Sequence, residues 1–229
     1  MKTLNQLHSD FSVDCVIFGF DEGELKILLI ERNAEPFDKW KALPGNLVKG
    51  DEEIEEAAER VLYELSGLEN VYMEQFRTFG GVNRHPQGRV ITVAYYAIIQ
   101  SLSQGLHPVT NYAKDAFWWP AHDLPKLAFD HTEIAEAAIE QLRYKLKHEP
   151  IGFELLPKEF TFSQLHHLYE VILERPIDKR NFKKKIMSFK ILTDLKKKHT
   201  GVPHRAPWLY TWNHNKYEAL KKKGFVFEI

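Results

Sequence analysis

The stretch IEEAAERVLYELSGL, residues 54–68, limits the choice of fold more than any other part of the chain. Ile54, Ala57, Ala58, Val61, Leu62, Leu65 and Leu68 recur at three- and four-residue spacing, so they share one face of a helix, and Gly67 is suited to ending it. A stripe so apolar must lie on an equally apolar surface. The chain supplies one. SVDCVIFGF and ELKILLIER are apolar runs separated by DEGE, a strand, a turn and a strand, and GRVITVAYYAIIQ is dense in β-branched and aromatic residues. HTEIAEAAIEQLRYKLKHE is a second amphipathic helix, acidic at its start and basic at its end as the helix dipole favours. This order of elements predicts an α+β first half, a mixed sheet between helices.

PIGFELLPKEF then interrupts with two prolines, and the domain boundary is expected there, giving 1–149 and 150–229. Beyond it, TFSQLHHLYEVILER reads as a helix capped by Ser163 or Thr161. DKRNFKKKIMSFKIL reads as a second, with Asp178 as N-cap and Phe182, Ile186 and Phe189 on its buried side. LKKKHTGVPHRAPWLYTWN follows as a basic loop entering an aromatic strand. Helix, tight turn, basic helix and basic hairpin is the order of a winged helix-turn-helix.

Charge divides the chain at the same place. Residues 1–149 carry 15 Lys and Arg against 24 Asp and Glu, whereas 150–229 carry 16 against 8. A polyanionic partner for the second half follows. A basic run is usually a solvated face, but on a recognition helix and wing its cations meet phosphates. The candidate DNA contacts are Lys179, Arg180, Asn181, Lys183, Lys184 and Lys185 on the helix, and Lys196, Lys197, Lys198 and Arg205 on the wing. Arg180 and Asn181 are the two expected to reach base edges. The lysines of KYEALKKKGF read instead as an ordinary helix C-terminus.

Several classes are excluded. The single cysteine, Cys15, cannot form an internal disulfide or a multi-cysteine metal site, and within VDCVIFGF it reads as core. Nowhere do eighteen apolar residues run together, and the N-terminal residues lack a signal-peptide pattern, so a cytoplasmic protein with no membrane partner is expected.

WKALPGNLVKGDEEIEEAAERVLYELSGL resembles the Nudix box, with Asn46 at the box glycine, Glu52 at its first glutamate, Arg60 at its arginine and Gly67 at its last glycine. The resemblance implies glutamates, holding the Mg²⁺ that activates water, at the places occupied here by Val61, Glu64 and Leu65. With two of the three apolar, neither a metal cofactor nor catalysis is expected, and Glu64 reads as an ion pair with Arg60 one turn earlier. FGGVNRHPQGRVITVAYYA is similar to the loop and strand of ADP-ribose-type Nudix domains, with His85 and Gln87 where that branch has Asp and Arg. LAFDH, LLPKEFTFSQLHHLYEVIL and DKRNFKKKI resemble the branch in which a Nudix domain is fused to a winged helix as a bacterial transcription factor, most of all the arabinose-utilisation regulators.

That resemblance implies a ligand-responsive regulator, a repressor of carbohydrate genes. It further implies binding to double-stranded operator DNA as a homodimer, with the effector in the old substrate cleft. A cleft stripped of carboxylates suits a small neutral ligand, and L-arabinose is the expected effector, held by Asp14, Glu31, Lys41 and Asn46. Each has a plainer reading, Asp14 as a hydrogen-bonded core carboxylate and Lys41 as a surface residue. The alternatives are an ADP-ribose-sensing regulator of NAD metabolism, a hydrolase with a shifted metal site, and an adaptor whose basic tail docks an acidic partner.

Overall fold

Strand β1 (Asp10–Asp21) is buried from Ser12 to Gly19 because it has neighbours along both edges. The computed structural model describes residues 10–100, 102, 105–199 and 206–229. Contacts divide the chain into two units, Met1–Gly19 with Lys26–Ile139, and Phe20–Leu25 with Glu140–Ile229.

The first unit is built on a seven-stranded sheet. After β1 come β2 (Glu24–Arg32), β3 (Lys41–Ala42), β4 (Gly45–Leu47), helix α1 (Ile54–Ser66), β5 (Glu74–Phe79), β6 (Val90–Ile99), β7 (Ala113–Pro120) and helix α2 (His131–His148). The sheet order is β3-β2-β1-β6-β5, with β4 also on β1 and β7 on β2. Strand β6 runs parallel to β1 from Asp10↔Val90 to Gly19↔Ile99, and β5 returns antiparallel to β6. Alternate residues of β1 and β2, among them Val13, Cys15, Ile17, Leu28 and Ile30, form one apolar cluster with Ala57, Ala58, Val61, Leu62 and Leu65 of α1. The opposite face, with Val16, Ile27 and Leu29, is buried too, and α2 buries Ile134, Ala135 and Ala138. Cys15 is core, as expected: its thiol lies 3.7 Å from the Ala58 carbonyl, and burial pushes its pKa up.

The division between units passes within α2, ahead of the proline-marked boundary expected at 149/150. In the second unit, β8 (Phe160–Thr161) leads into α3 (Phe162–Leu173), then α4 (Lys179–Ser188), β9 (Leu192–Lys198), β10 (Trp208–Trp212) and α5 (His214–Lys221). The three strands form a sheet in the order β8-β10-β9, antiparallel throughout. Phe182 and Ile186 of α4 are buried, and the Phe182 ring packs 4.9 Å from that of Tyr169 on α3. The segment expected as a basic loop begins instead as strand β9. Its cross-strand pairing to Trp208, Tyr210 and Trp212 is too distant in sequence to read locally. Among the described residues no helix is long and apolar enough to cross a membrane.

Gly67 ends α1 in the left-handed region, φ 77°, and its N–H donates to the Tyr63 carbonyl at 2.8 Å. A Cβ there would also sit 2.8 Å from the His107 carbonyl oxygen. Gly67→Ala is therefore expected to lower stability by at least about 1–2 kcal/mol, through the backbone penalty alone. Urea unfolding checks this, and an unchanged midpoint contradicts it.

Candidate effector cleft and nucleic-acid interface

The helix face that the Nudix resemblance assigns to metal has changed character. Val61 is fully buried and Leu65 1 % exposed, both in the apolar cluster under the sheet. Glu64 points its carboxylate elsewhere, accepting from Arg60 Nη1 at 3.0 Å with Lys49 Nζ at 3.8 Å. The ion pair expected from the i,i+4 spacing is thus present. Arg60 also donates through Nε to Glu52 at 2.7 Å and through Nη2 to the Leu47 carbonyl at 3.1 Å. These bonds, the Arg60 hydrogen bond foremost, draw the Glu52 carboxyl down to about 2. No group of three or more His, Cys, Asp or Glu among the described residues is arranged to hold a metal ion. One carboxylate already paired with two cations, flanked by two buried aliphatic residues, does not fit a hard divalent cation.

The cleft itself is intact. A cavity of about 240 Å³ is lined by Asp14 of β1, Arg32 of β2, Asn46 of β4, Leu65, Arg84, His85, Gln87, Phe129 and His131, among others. Its floor is a buried charge cluster. Arg84 donates through Nε to Asp130 Oδ2 and through Nη2 to Asp130 Oδ1, both at 2.8 Å, a two-pronged grip on one carboxylate. Nη2 also reaches Asp14 Oδ2 at 3.1 Å. His131 Nδ1 accepts the Leu43 backbone N–H at 3.0 Å, which requires the neutral ring with its proton on Nε2, and that nitrogen faces Asp14 Oδ1 at 3.3 Å. Burial alone would raise the Asp14 carboxyl; His131, Arg84 and Thr92 together outweigh it and hold it below the ordinary range. Gly45 is required beside it, since a Cβ there would overlap Asp14 Oδ1. On the wall, His85 stacks on Phe129 at 5.0 Å, and the Arg32 guanidinium lies 4.9 Å from the same ring.

Of the four residues expected to hold the effector, Asp14 and Asn46 line this cleft. Asn46 turns its amide oxygen to the Leu47 N–H at 2.8 Å. Glu31 and Lys41 do not line it. They face each other across β2 and β3, where Glu31 accepts from Lys114 Nζ at 2.8 Å and Lys41 Nζ sits 5.0 Å over the Trp119 ring. Sequence reasoning missed Arg84, Asp130 and His131, which are separated from Asp14 by most of the domain.

The second unit presents the expected cations outward. Lys179, Arg180, Asn181, Lys183, Lys184 and Lys185 are all exposed on α4, as are Lys196, Lys197 and Lys198 on β9; Arg205 lies outside the described residues. Helix α4 is capped by Asp178, whose carboxylate accepts the Asn181 N–H at 2.7 Å, and α3 by Thr161 in a reciprocal pair with Gln164. The turn between them is fastened by two groups the sequence did not point to. His166 Nε2 donates to the Ile177 carbonyl at 2.8 Å, and Glu170 accepts the Ile177 N–H at 3.0 Å. The lysines of the last helix stand at the C-terminal end of α5, as expected.

Residues 8–142 match the model of the NUDIX domain, and residues 152–212 that of the NrtR DNA-binding winged helix domain. The chain is 32% identical over 180 residues to the ADPR responsive transcriptional repressor NtrR of Acinetobacter baylyi, covering 77% of this chain and 71% of that one. It superposes on Shewanella oneidensis NrtR complexed with a 27mer DNA with a TM-score of 0.75 at 30% identity, over 91% of this chain and 95% of that one. The NUDIX domain of the same Shewanella protein, complexed with ADP ribose, matches 59% of this chain and 89% of its own with a TM-score of 0.55 at 34% identity. These likenesses correct the expected kinship with arabinose regulators, and with it L-arabinose as effector. The physical error lay in taking loss of the carboxylates at 61 and 65 for loss of charge, whereas Arg32, Arg84 and Asp14 keep the cleft ionic. The chain belongs to the Nudix family, in the branch whose Nudix domain is followed by an NrtR-type DNA-binding winged helix.

Proposed function

We propose that this protein is an ADP-ribose-responsive transcriptional repressor that binds double-stranded operator DNA through its winged helix and does not turn its effector over. One observation carries the reading: a charged cleft is preserved above a helix whose metal-holding positions have become core. Such a cleft keeps the means to bind a nucleotide diphosphate sugar, with guanidinium groups for phosphate and the aromatic wall of His85 and Phe129 for a planar base. It lacks the set of carboxylates that would hold a water-activating cation. Two relatives point the same way, the Acinetobacter repressor named as ADPR responsive and the Shewanella NUDIX domain complexed with ADP ribose.

The DNA reading rests on α4. Its buried side anchors the helix while its cationic side faces solvent, and the N-cap at Asp178 leaves Arg180 and Asn181 at the leading end, where a recognition helix meets base edges. A homodimer binding paired half-sites fits this class of domain. A regulator of genes needs the cytoplasm, where its operator lies.

Isothermal titration with ADP-ribose should give saturable heat, and the same ligand should release operator DNA in a mobility-shift assay. Titration of a folded chain without heat would overturn the effector reading. Incubation of ADP-ribose with Mg²⁺ or Mn²⁺ should produce AMP at background rate only. Metal-dependent turnover abolished by Glu64→Ala would show that the enzyme survives.

Operator affinity should fall steeply with salt through counterion release, and each phosphate-contacting lysine removed should lower the log–log slope by about 1. Neutralising Lys196, Lys197 and Lys198 should weaken binding to all sequences alike, whereas Asn181→Ala or Arg180→Ala should narrow the gap between operator and random DNA. Binding unchanged after replacement of Lys183, Lys184 and Lys185 together would remove α4 from the interface.

A further inference from the structure

Arg84 stands where three demands meet. It lines the cleft, yet its side chain is only 5 % exposed, and two of its donors are committed to Asp130 and Asp14. Its third nitrogen, Nη1, makes no hydrogen bond to any described residue. A buried guanidinium that lines a cavity and keeps one nitrogen unused is an anion receptor, because a charged N–H donor bonds an oxyanion more strongly than a neutral one. Asp130, held on its opposite edge, is not itself part of the cleft wall. It immediately precedes α2 and its carbonyl accepts the Ile134 N–H at 3.1 Å, so it begins that helix. His131, the next residue, contacts Asp14 from the cleft side. Helix α2 then continues past Ile139, the last residue of the first unit, to His148.

We propose that Arg84 offers Nη1 to an anionic oxygen of the effector and that Asp130, gripping the other edge of the same guanidinium, relays occupancy of the cleft to the start of α2. This rests on the effector reading above and adds the positioning residues of the response. An oxyanion arriving at Arg84 competes with Asp14 and Asp130 for one positive charge. The three anions cannot all keep their distances around it, and Asp130 is the one of the two carboxylates that begins a helix. Ligand affinity and DNA affinity are then coupled through that single contact, and the coupling is reciprocal.

The test uses the full chain, ADP-ribose, and a duplex enriched from a random pool by the unaltered protein. Calorimetry reads ADP-ribose affinity, and fluorescence anisotropy reads duplex affinity with and without saturating ADP-ribose. Asp130→Asn keeps the shape and the backbone bond to Ile134 but loosens the grip on Arg84. It should bind ADP-ribose at least as tightly as the unaltered chain, while the ratio of duplex affinities without and with ligand falls by about tenfold. Arg84→Gln should weaken ADP-ribose by at least about tenfold. Because Arg84→Gln strands two buried carboxylates, Arg84→Lys serves beside it, keeping a positive charge for folding but lacking the separate nitrogens that hold Asp130 and leave Nη1 free, and it too should lose the response. An Asp130→Asn chain that binds ADP-ribose and responds with the unaltered ratio overturns the relay, as does a folded Arg84→Lys chain with full response, and both leave the effector reading standing. If the unaltered chain gives no heat with ADP-ribose, the effector reading falls and the relay with it.

Discussion

The first unit is organised around a charge that has nowhere else to go. Arg84, Asp14 and Asp130 have side chains 5 %, 4 % and 16 % exposed, so each has lost most of its hydration; the guanidinium depends on the two carboxylates, and each carboxylate on it. Removing one partner from such a group costs about 3–5 kcal/mol, because the charge left behind remains buried. The geometry is correspondingly fixed. The carboxylate of Asp14 sits against Gly45, which has no side chain to displace it, and His131 is held in one tautomer by the Leu43 N–H. A strand, two loops and the start of a helix therefore share one network, and the shape of the cleft follows from it.

Helix α1 carries apolar residues at two of the three places that the Nudix resemblance assigns to metal-holding glutamates. Its inner face has exchanged carboxylates for Val61 and Leu65, adding aliphatic surface to a core that already contains Ala57, Ala58 and Leu62. Its outer charges are organised as a closed group of Glu52, Arg60 and Glu64, tied to the preceding loop by the Leu47 carbonyl. The helix thereby keeps its register and the loop its path, which is what a binding cleft needs from it. Packing of Val61 and Leu65 and the ion pair of Glu64 account for what these positions do in the fold.

What the sequence discloses is what local physics controls. The period of α1, its stop at Gly67, the Arg60–Glu64 pair, the Asp178 cap and one of the two caps considered for α3 follow from residues a few positions apart. The cleft floor does not, since Arg84 meets partners far from it in both directions of the chain, and no period or spacing connects them. The altered loop residues His85 and Gln87 suggest a less charged pocket, whereas Arg84 beside them is a buried cation lining it. Glu31 and Lys41 were misplaced for a related reason. Alternation along β2 and β3 says that they share a face, but which face borders the cleft depends on β7 and Lys114, a pairing made across the sheet. The start of the wing failed likewise, since β9 exists only through β10.

The self-contained ion group on α1 has a consequence for what the cleft can report. Here Glu64 is satisfied by Arg60 and Lys49, and Glu52 by Arg60. The site carries no standing demand for magnesium. For the proposed effector, occupancy is therefore expected to follow its own concentration, unmoved by changes in magnesium.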